Sequence, residues 1–243
     1  MVKLTINGKA VQAREGSTIL DTARENNINI PTLCYNESLP AYGACRLCLV
    51  DITQHSGRQK MVASCLYPVE PGLQVQTSTE KLGRIRKTLI QLLLARCPDS
   101  EDIQEMAREL GAVDTPFPLS EGKKKCILCG MCTRACEDVV GVSAISLVNR
   151  GVKRELATPF HKDFSPACIG CGSCAYVCPT KAISVQDIGG KRLVKWPHDQ
   201  MDFKMKRCRS CGSYWAPEKQ IEHIARKSGT SVKEYDLCPS CRE

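Results

Sequence analysis

Sixteen of the seventeen cysteines in this 243-residue chain fall into four groups whose spacing suits metal ligation. The densest stretch holds one pattern twice: Cys126, Cys129, Cys132 and Cys136, then Cys168, Cys171, Cys174 and Cys178, with Pro179 following. Each run is C-x2-C-x2-C-x3-C, which lets one loop wrap three corners of a cubane [4Fe-4S] cluster and leaves the fourth corner to the other run. The expected sets are Cys126, Cys129, Cys132 with Cys178, and Cys168, Cys171, Cys174 with Cys136. Gly130, Gly170 and Gly172 keep the backbone free of side chains where it passes close to such a group. A pair of zinc knuckles is the competing reading, but zinc gives no reason for a doubled eight-cysteine repeat. The chemistry would be one-electron transfer.

The repeat extends beyond the cysteines. Ala144-Ile145-Ser146-Leu147 echoes Ala182-Ile183-Ser184-Val185, and each echo runs into a turn, at Asn149-Arg150-Gly151 and at Gly189-Gly190. Residues 123–200 thus resemble a bacterial-type two-[4Fe-4S] ferredoxin domain. Gly170-Cys171-Gly172-Ser173-Cys174-Ala175 also satisfies a dinucleotide fingerprint, but two of its positions are ligands and no βαβ unit surrounds it.

Upstream, residues 1–78 read as a β-rich domain. Val2 to Ile6 alternates, Asn7-Gly8 is a hairpin turn, and Val11-Gln12-Ala13 resumes the strand. A helix follows over 18–26, with Ile19, Leu20 and Ala23 on one face and Ser17 as its N-cap. Residues 73–77 form a last strand. The cysteines on this β-β-α-β order are Cys34, Cys45, Cys48 and Cys65, spaced C-x10-C-x2-C-x16-C. That combination resembles the [2Fe-2S] β-grasp domain at the N-terminus of the large iron–sulfur subunit of complex I. It is more similar still to the diaphorase iron–sulfur subunit of bidirectional NAD-linked hydrogenases. The plant-type spacing is absent, and zinc or free thiols would not explain why these cysteines and this strand order coincide.

Residues 79–122 read as a helical connector and linker. From Glu80 to Arg96, Leu82, Ile85, Leu89, Ile90, Leu92 and Leu93 form an apolar stripe, with Arg84, Arg86 and Lys87 opposite, until Pro98 stops the helix. Ser100 caps a second helix that Gly111 ends. Relatives of both kinds carry a histidine and three cysteines between these domains for a further cluster. Here residues 97–122 hold Cys97 alone and no histidine, so the resemblance implies that this cluster is missing. Cys97 reads as a buried structural thiol. Lys123, Lys124 and Lys125 either tune or dock beside the adjacent ligand, or form a solvated charge run.

Residues 201–243 carry Cys208, Cys211, Cys238 and Cys241, two C-x2-C knuckles around a helix expected over 217–227. They resemble a zinc ribbon with a long spacer; a third [4Fe-4S] cluster is the alternative. His55, His161, His198 and His223 read as surface histidines. The fold class expected is α+β: a β-grasp [2Fe-2S] domain, a helical connector, a two-[4Fe-4S] domain and a zinc-ribbon-like module.

The formal charge of +8 treats every cysteine as neutral. Four tetrathiolate sites at about −2 each give about −8, leaving the loaded protein near neutrality and weakening any nucleic-acid reading. No stretch reaches the length of a membrane span, and the start lacks the apolar region of a signal peptide, so a reducing, cytoplasmic setting is expected. No general acid, nucleophile or catalytic constellation emerges. The resemblance implies an iron–sulfur relay subunit of a NAD(P)-linked complex, sitting between a flavin-bearing subunit and a second redox module of hydrogenase, formate dehydrogenase or ferredoxin-linked transhydrogenase type, including electron-bifurcating assemblies. The alternatives are a stand-alone ferredoxin-like carrier and a redox-sensing nucleic-acid binder; the latter lacks a basic aromatic stripe.

Overall fold

The computed structural model describes residues 1–121, 124–158 and 165–242, so Gly122, Lys123 and His161 lie outside the described residues. The chain divides into two compact units, Met1–Cys129 and Gly130–Glu243. Both mix helix and strand.

In the first unit, β1 (Val2–Ile6) and β2 (Lys9–Ala13) form the expected hairpin. Asn7 and Gly8 both take positive φ, 50° and 79°, as a tight turn matched to strand twist requires. β3 (Leu49–Thr53) and β4 (Gln59–Ala63) form a second hairpin, and β5 (Gln74–Gln76) lies parallel to β1, giving the sheet order β2-β1-β5-β3-β4. Helix α1 (Ile19–Glu25) lays Ile19, Leu20 and Ala23 against Leu4, Ile6, Val50, Ile52 and Val75. Its cap is Thr18 rather than Ser17. The Thr18 hydroxyl accepts the Asp21 N–H while the Asp21 carboxylate accepts the Thr18 N–H, a reciprocal box that Ser17 cannot make because no acidic residue stands three positions after it.

Helix α2 (Glu80–Arg96) is capped by Thr79 and ends at Cys97, before Pro98. Helix α3 (Glu101–Glu109) starts at Ser100, whose hydroxyl accepts the Ile103 N–H. Together they bury Ile90, Leu94, Cys97 and Ile103 against Leu33 and Leu47, the neighbours of Cys34 and Cys48. One expectation fails here: Arg86, assigned to the polar face of α2, is only 7% exposed. The segment after α3 runs back along α2, with the Thr115 hydroxyl on the Gln91 carbonyl (2.9 Å) and the Ser120 N–H on the Ala95 carbonyl (2.7 Å).

The second unit repeats a short helix and a β-ribbon. Gly130 (φ 73°) precedes α4 (Met131–Arg134), which continues as a π-helical turn over Ala135–Val139, and Gly172 (φ 82°) precedes α5 (Ser173–Tyr176). The ribbons are β6 (Ser146–Val148) with β7 (Glu155–Ala157), and β8 (Ser184–Ile188) with β9 (Lys191–Lys195). β10 (Gln200–Arg207) and β11 (Tyr214–Pro217) extend the second ribbon into a sheet ordered β11-β10-β9-β8, so one sheet runs from the cysteine repeat into the C-terminal stretch. Helix α6 (Glu218–Ser228) follows, within one residue of expectation, and packs on β10 and β11. Among the described residues, no helix is long and apolar enough to cross a membrane.

Candidate metal centres

In the first unit, three loops converge. Cys34 follows α1, Cys45 and Cys48 lie on the loop entering β3, and Cys65 lies just beyond β4. Cys34, Cys48 and Cys65 are buried; Cys45 is half-buried. The sulfurs stand in two pairs, Cys34 with Cys45 and Cys48 with Cys65, each 3.4 Å apart. Two pairs of thiolates are what a two-iron rhomb takes, one pair on each iron, so the donor set fits a [2Fe-2S] group. Within each pair one thiol donates to the other. The hydrogen bond within each pair splits its two thiols: Cys45 and Cys48 are held down to about 6, while Cys34 and Cys65 are pushed well up, first by that bond and then by burial. The Cys45 N–H also donates to the Cys34 sulfur at 3.3 Å. Arg46 is left-handed (φ 60°), which turns the chain between the two ligands of the C-x2-C step.

In the second unit, Cys136 lines one cavity with Cys168, Cys171 and Cys174, and Ile145, Val194 and Trp196 close it. Cys136 sits in the π-helical turn that closes the first run, so the loop of the second run receives a sulfur from the first. Such turns re-aim a single side chain out of a helix. The Ala144 N–H donates to the Cys136 sulfur at 3.2 Å. Burial raises the Cys136 thiol, lifts Cys168 to about 11 and lifts Cys174 to about 12, the last against a lowering influence of the Trp196 indole. Four sulfurs around one apolar cavity suit a cationic iron–sulfur core, whose charge their thiolates offset and which needs water excluded. Arg192 reaches this loop from β9: its guanidinium grips Asp187 at 2.7 Å through two nitrogens and donates to the Gly170 carbonyl at 3.3 Å. Nothing in the cysteine spacing marks Trp196 or Arg192, since both arrive from the sheet. Cys126 and Cys129 end the first unit, while Cys132 and Cys178 belong to the second.

Gly170 is held at φ 68°, and a Cβ there would stand 2.5 Å from Cγ of Phe203. Gly170→Ala is therefore expected to strain the loop between Cys168 and Cys171 by about 1–3 kcal/mol and to lower the iron content of this centre on purification. Iron retained in full would show that the loop relaxes.

The C-terminal cysteines form a third group. The sulfurs of Cys208, Cys211, Cys238 and Cys241 all lie within 4.8 Å of one another, a set able to hold a metal ion. Cys211 and Cys238 are 3.8 Å apart, and the Cys238 N–H donates to the Cys208 sulfur at 3.3 Å. Backbone N–H groups hold Cys208 down to about 6. Cys208 leaves β10 directly and Cys211 is exposed on the knuckle after it. Cys97 is fully buried among α2 and α3, and burial pushes its thiol up to about 12. Of the histidines, His198 lies 3.7 Å from Glu155, and His223 takes a contact from Arg226 at 3.3 Å.

Comparison with known proteins finds both domain types. Residues 1–80 match the 2Fe-2S iron-sulfur cluster binding domain, and residues 167–213 match the 4Fe-4S dicluster domain. The chain is 36% identical over 204 residues to NADPH-Fe(3+) oxidoreductase subunit alpha of Geobacter sulfurreducens, covering 74% of this chain and 24% of that one. It is 32% identical over 212 residues to NADP-reducing hydrogenase subunit HndD of Solidesulfovibrio fructosivorans, covering 75% and 36%. With a NADH-quinone oxidoreductase subunit of Rhizobium meliloti it shares 30% over 208 residues, covering 75% and 24%. A chain of NAD+-reducing [NiFe]-hydrogenase, solved in the H2-reduced state, superposes with a TM-score of 0.57 at 29% identity, covering 65% of this chain and 75% of that one. The chain spans about a quarter to a third of the length of these curated relatives. It is a homologue of subunits of NAD(P)-linked oxidoreductases and carries 2Fe-2S and 4Fe-4S ferredoxin domains.

Proposed function

We propose that this chain, a relative of the iron–sulfur subunits of NAD(P)-linked oxidoreductases, is an electron-relay subunit with no substrate site of its own. The observation that carries the reading is the cavity where Cys136 of one run joins Cys168, Cys171 and Cys174 of the other. A crossed ligand set of this kind belongs to paired cubanes. In the reading, Cys34, Cys45, Cys48 and Cys65 hold a [2Fe-2S] group. Cys126, Cys129, Cys132 and Cys178 hold one [4Fe-4S] group, and Cys168, Cys171, Cys174 and Cys136 hold the second. The groups, when bound, supply one-electron transfer. The protein's part is to bury the sulfurs, direct N–H groups at them and exclude water.

The C-terminal set is read as zinc. A tetrahedron of 2.3 Å Zn–S bonds has sulfur–sulfur edges of about 3.8 Å, close to the Cys211–Cys238 separation and compatible with the 4.8 Å envelope. In a cubane each thiolate binds its own iron, so four sulfurs would stand farther apart. Cys238→Ser is therefore expected to remove the one zinc and leave the iron untouched. Loss of about four iron atoms instead would make the site a third [4Fe-4S] centre.

The partners in this reading are a flavin-bearing NAD(P)H-oxidising subunit and a second redox subunit of hydrogenase, formate dehydrogenase or ferredoxin-linked transhydrogenase type, in the cytoplasm, with electron bifurcation where the second module permits it. The relatives' names as subunits of NADPH-, NADP- and NADH-linked oxidoreductases support it. Native purification of the tagged chain without oxygen is expected to bring down a flavin-containing complex. A chain that elutes alone at native expression would favour the stand-alone carrier.

A further inference from the structure

Resting on the reading of Cys34, Cys45, Cys48 and Cys65 as a [2Fe-2S] site, we propose that Arg86 is its positioning residue and built-in counter-charge, fixing the ligand loop and raising the site's reduction potential. Arg86 comes from α2 and is turned inward. Its Nε donates to the Leu47 carbonyl (3.0 Å), Nη2 to the Leu49 carbonyl (2.7 Å) and Nη1 to the Thr77 carbonyl (2.8 Å). Leu47 and Leu49 are the residues on either side of Cys48. The planar fork thus grips the chain before and after one ligand and ties both sides to the end of β5.

Carbonyl oxygens satisfy the donors without cancelling the charge. A buried cation is costly unless an opposite charge offsets it. The carboxylate acting on it is Asp51, whose Oδ2 accepts the Thr79 hydroxyl at 3.0 Å and makes no described ion pair with Arg86. Cys48 also acts on Arg86, with the same sign. Four thiolates around a [2Fe-2S] group carry about −2, and one-electron reduction adds one more negative charge. A fixed cation therefore stabilises the reduced state more than the oxidised one. Arg192, beside the other cavity, offers a contrast. It touches the Gly170 carbonyl in the same manner, but Asp187 neutralises its fork.

The test is an EPR-monitored redox titration of the full chain, purified without oxygen, as wild type, Arg86→Gln, Arg86→Lys and Asp51→Asn. Arg86→Gln is expected to make reduction of the [2Fe-2S] centre about tenfold less favourable, 59 mV for a one-electron couple, with the [4Fe-4S] potentials unmoved. Arg86→Lys keeps the charge and is expected to retain most of the potential, while Asp51→Asn shifts it upward. An intact [2Fe-2S] signal with unshifted potential in Arg86→Gln overturns the proposal, as does a Lys variant that falls as far as the Gln variant. Should Arg86→Gln fail to fold, Asp51→Asn decides, since no upward shift there contradicts the field. A wild type with no [2Fe-2S] signal overturns the reading of the site itself, and this proposal with it.

Discussion

Replacing Cys136 with alanine is expected to abolish the centre built on Cys168, Cys171 and Cys174, although Cys136 belongs to the other run in the sequence. Iron should fall from about ten to about six atoms per chain. The reason is geometric: the sulfur of Cys136 faces the cavity lined by the second run, where the Ala144 N–H supports it at 3.2 Å. The remaining three sulfurs would leave one iron of a cubane open to water and oxygen. The decisive comparison is between variants. Cys136→Ala and Cys171→Ala should lose the same EPR signal, while Cys178→Ala and Cys129→Ala lose the other. If Cys136→Ala instead loses the signal that Cys129→Ala loses, the ligands do not cross and the pairing is wrong.

The second large effect is at Cys65. Its sulfur is paired at 3.4 Å with that of Cys48, and the two residues, 2% and 1% exposed, also belong to the core beneath β3 and β4. Cys65→Ala removes half of one thiolate pair, so the [2Fe-2S] signal should vanish and iron should drop by about two atoms. Because metal binding couples to folding, the melting temperature of the first unit should fall as well. Cys97→Ala is the matched control: an equally buried thiol, packed between α2 and α3, whose loss should leave all iron in place. Iron lost from Cys97→Ala but not from Cys65→Ala would reverse the two assignments.

Sequence spacing made the two C-x2-C-x2-C-x3-C runs legible as candidate ligands because cluster chemistry fixes such runs locally, with gaps of two and three residues. The Asn7-Gly8 hairpin and the 80–96 helix were legible for the same reason, since turn chemistry, caps and Pro98 act over a few positions. Arg86 lay beyond such local signals. Helical periodicity places a cation on the polar face by default, and the carbonyls that draw Arg86 inward belong to Leu47 and Leu49, 39 and 37 residues away. Trp196 and Arg192 were hidden likewise, because tertiary contact with the second run gives them their role. The choice of Ser17 over Thr18 as the α1 cap turned on a single side-chain exchange with Asp21. The run of β10 into the C-terminal knuckles was not legible either, as its alternation, with Phe203 and Met205 inward, is short and flanked by polar residues.

Iron, acid-labile sulfide and zinc, counted per chain on protein purified without oxygen, test the central claim most directly. About ten iron atoms, ten sulfides and one zinc are expected from one [2Fe-2S], two [4Fe-4S] and one tetrathiolate zinc site. About four zinc ions with little iron or sulfide would contradict the electron relay outright and leave a protein whose cysteines serve only to hold its fold.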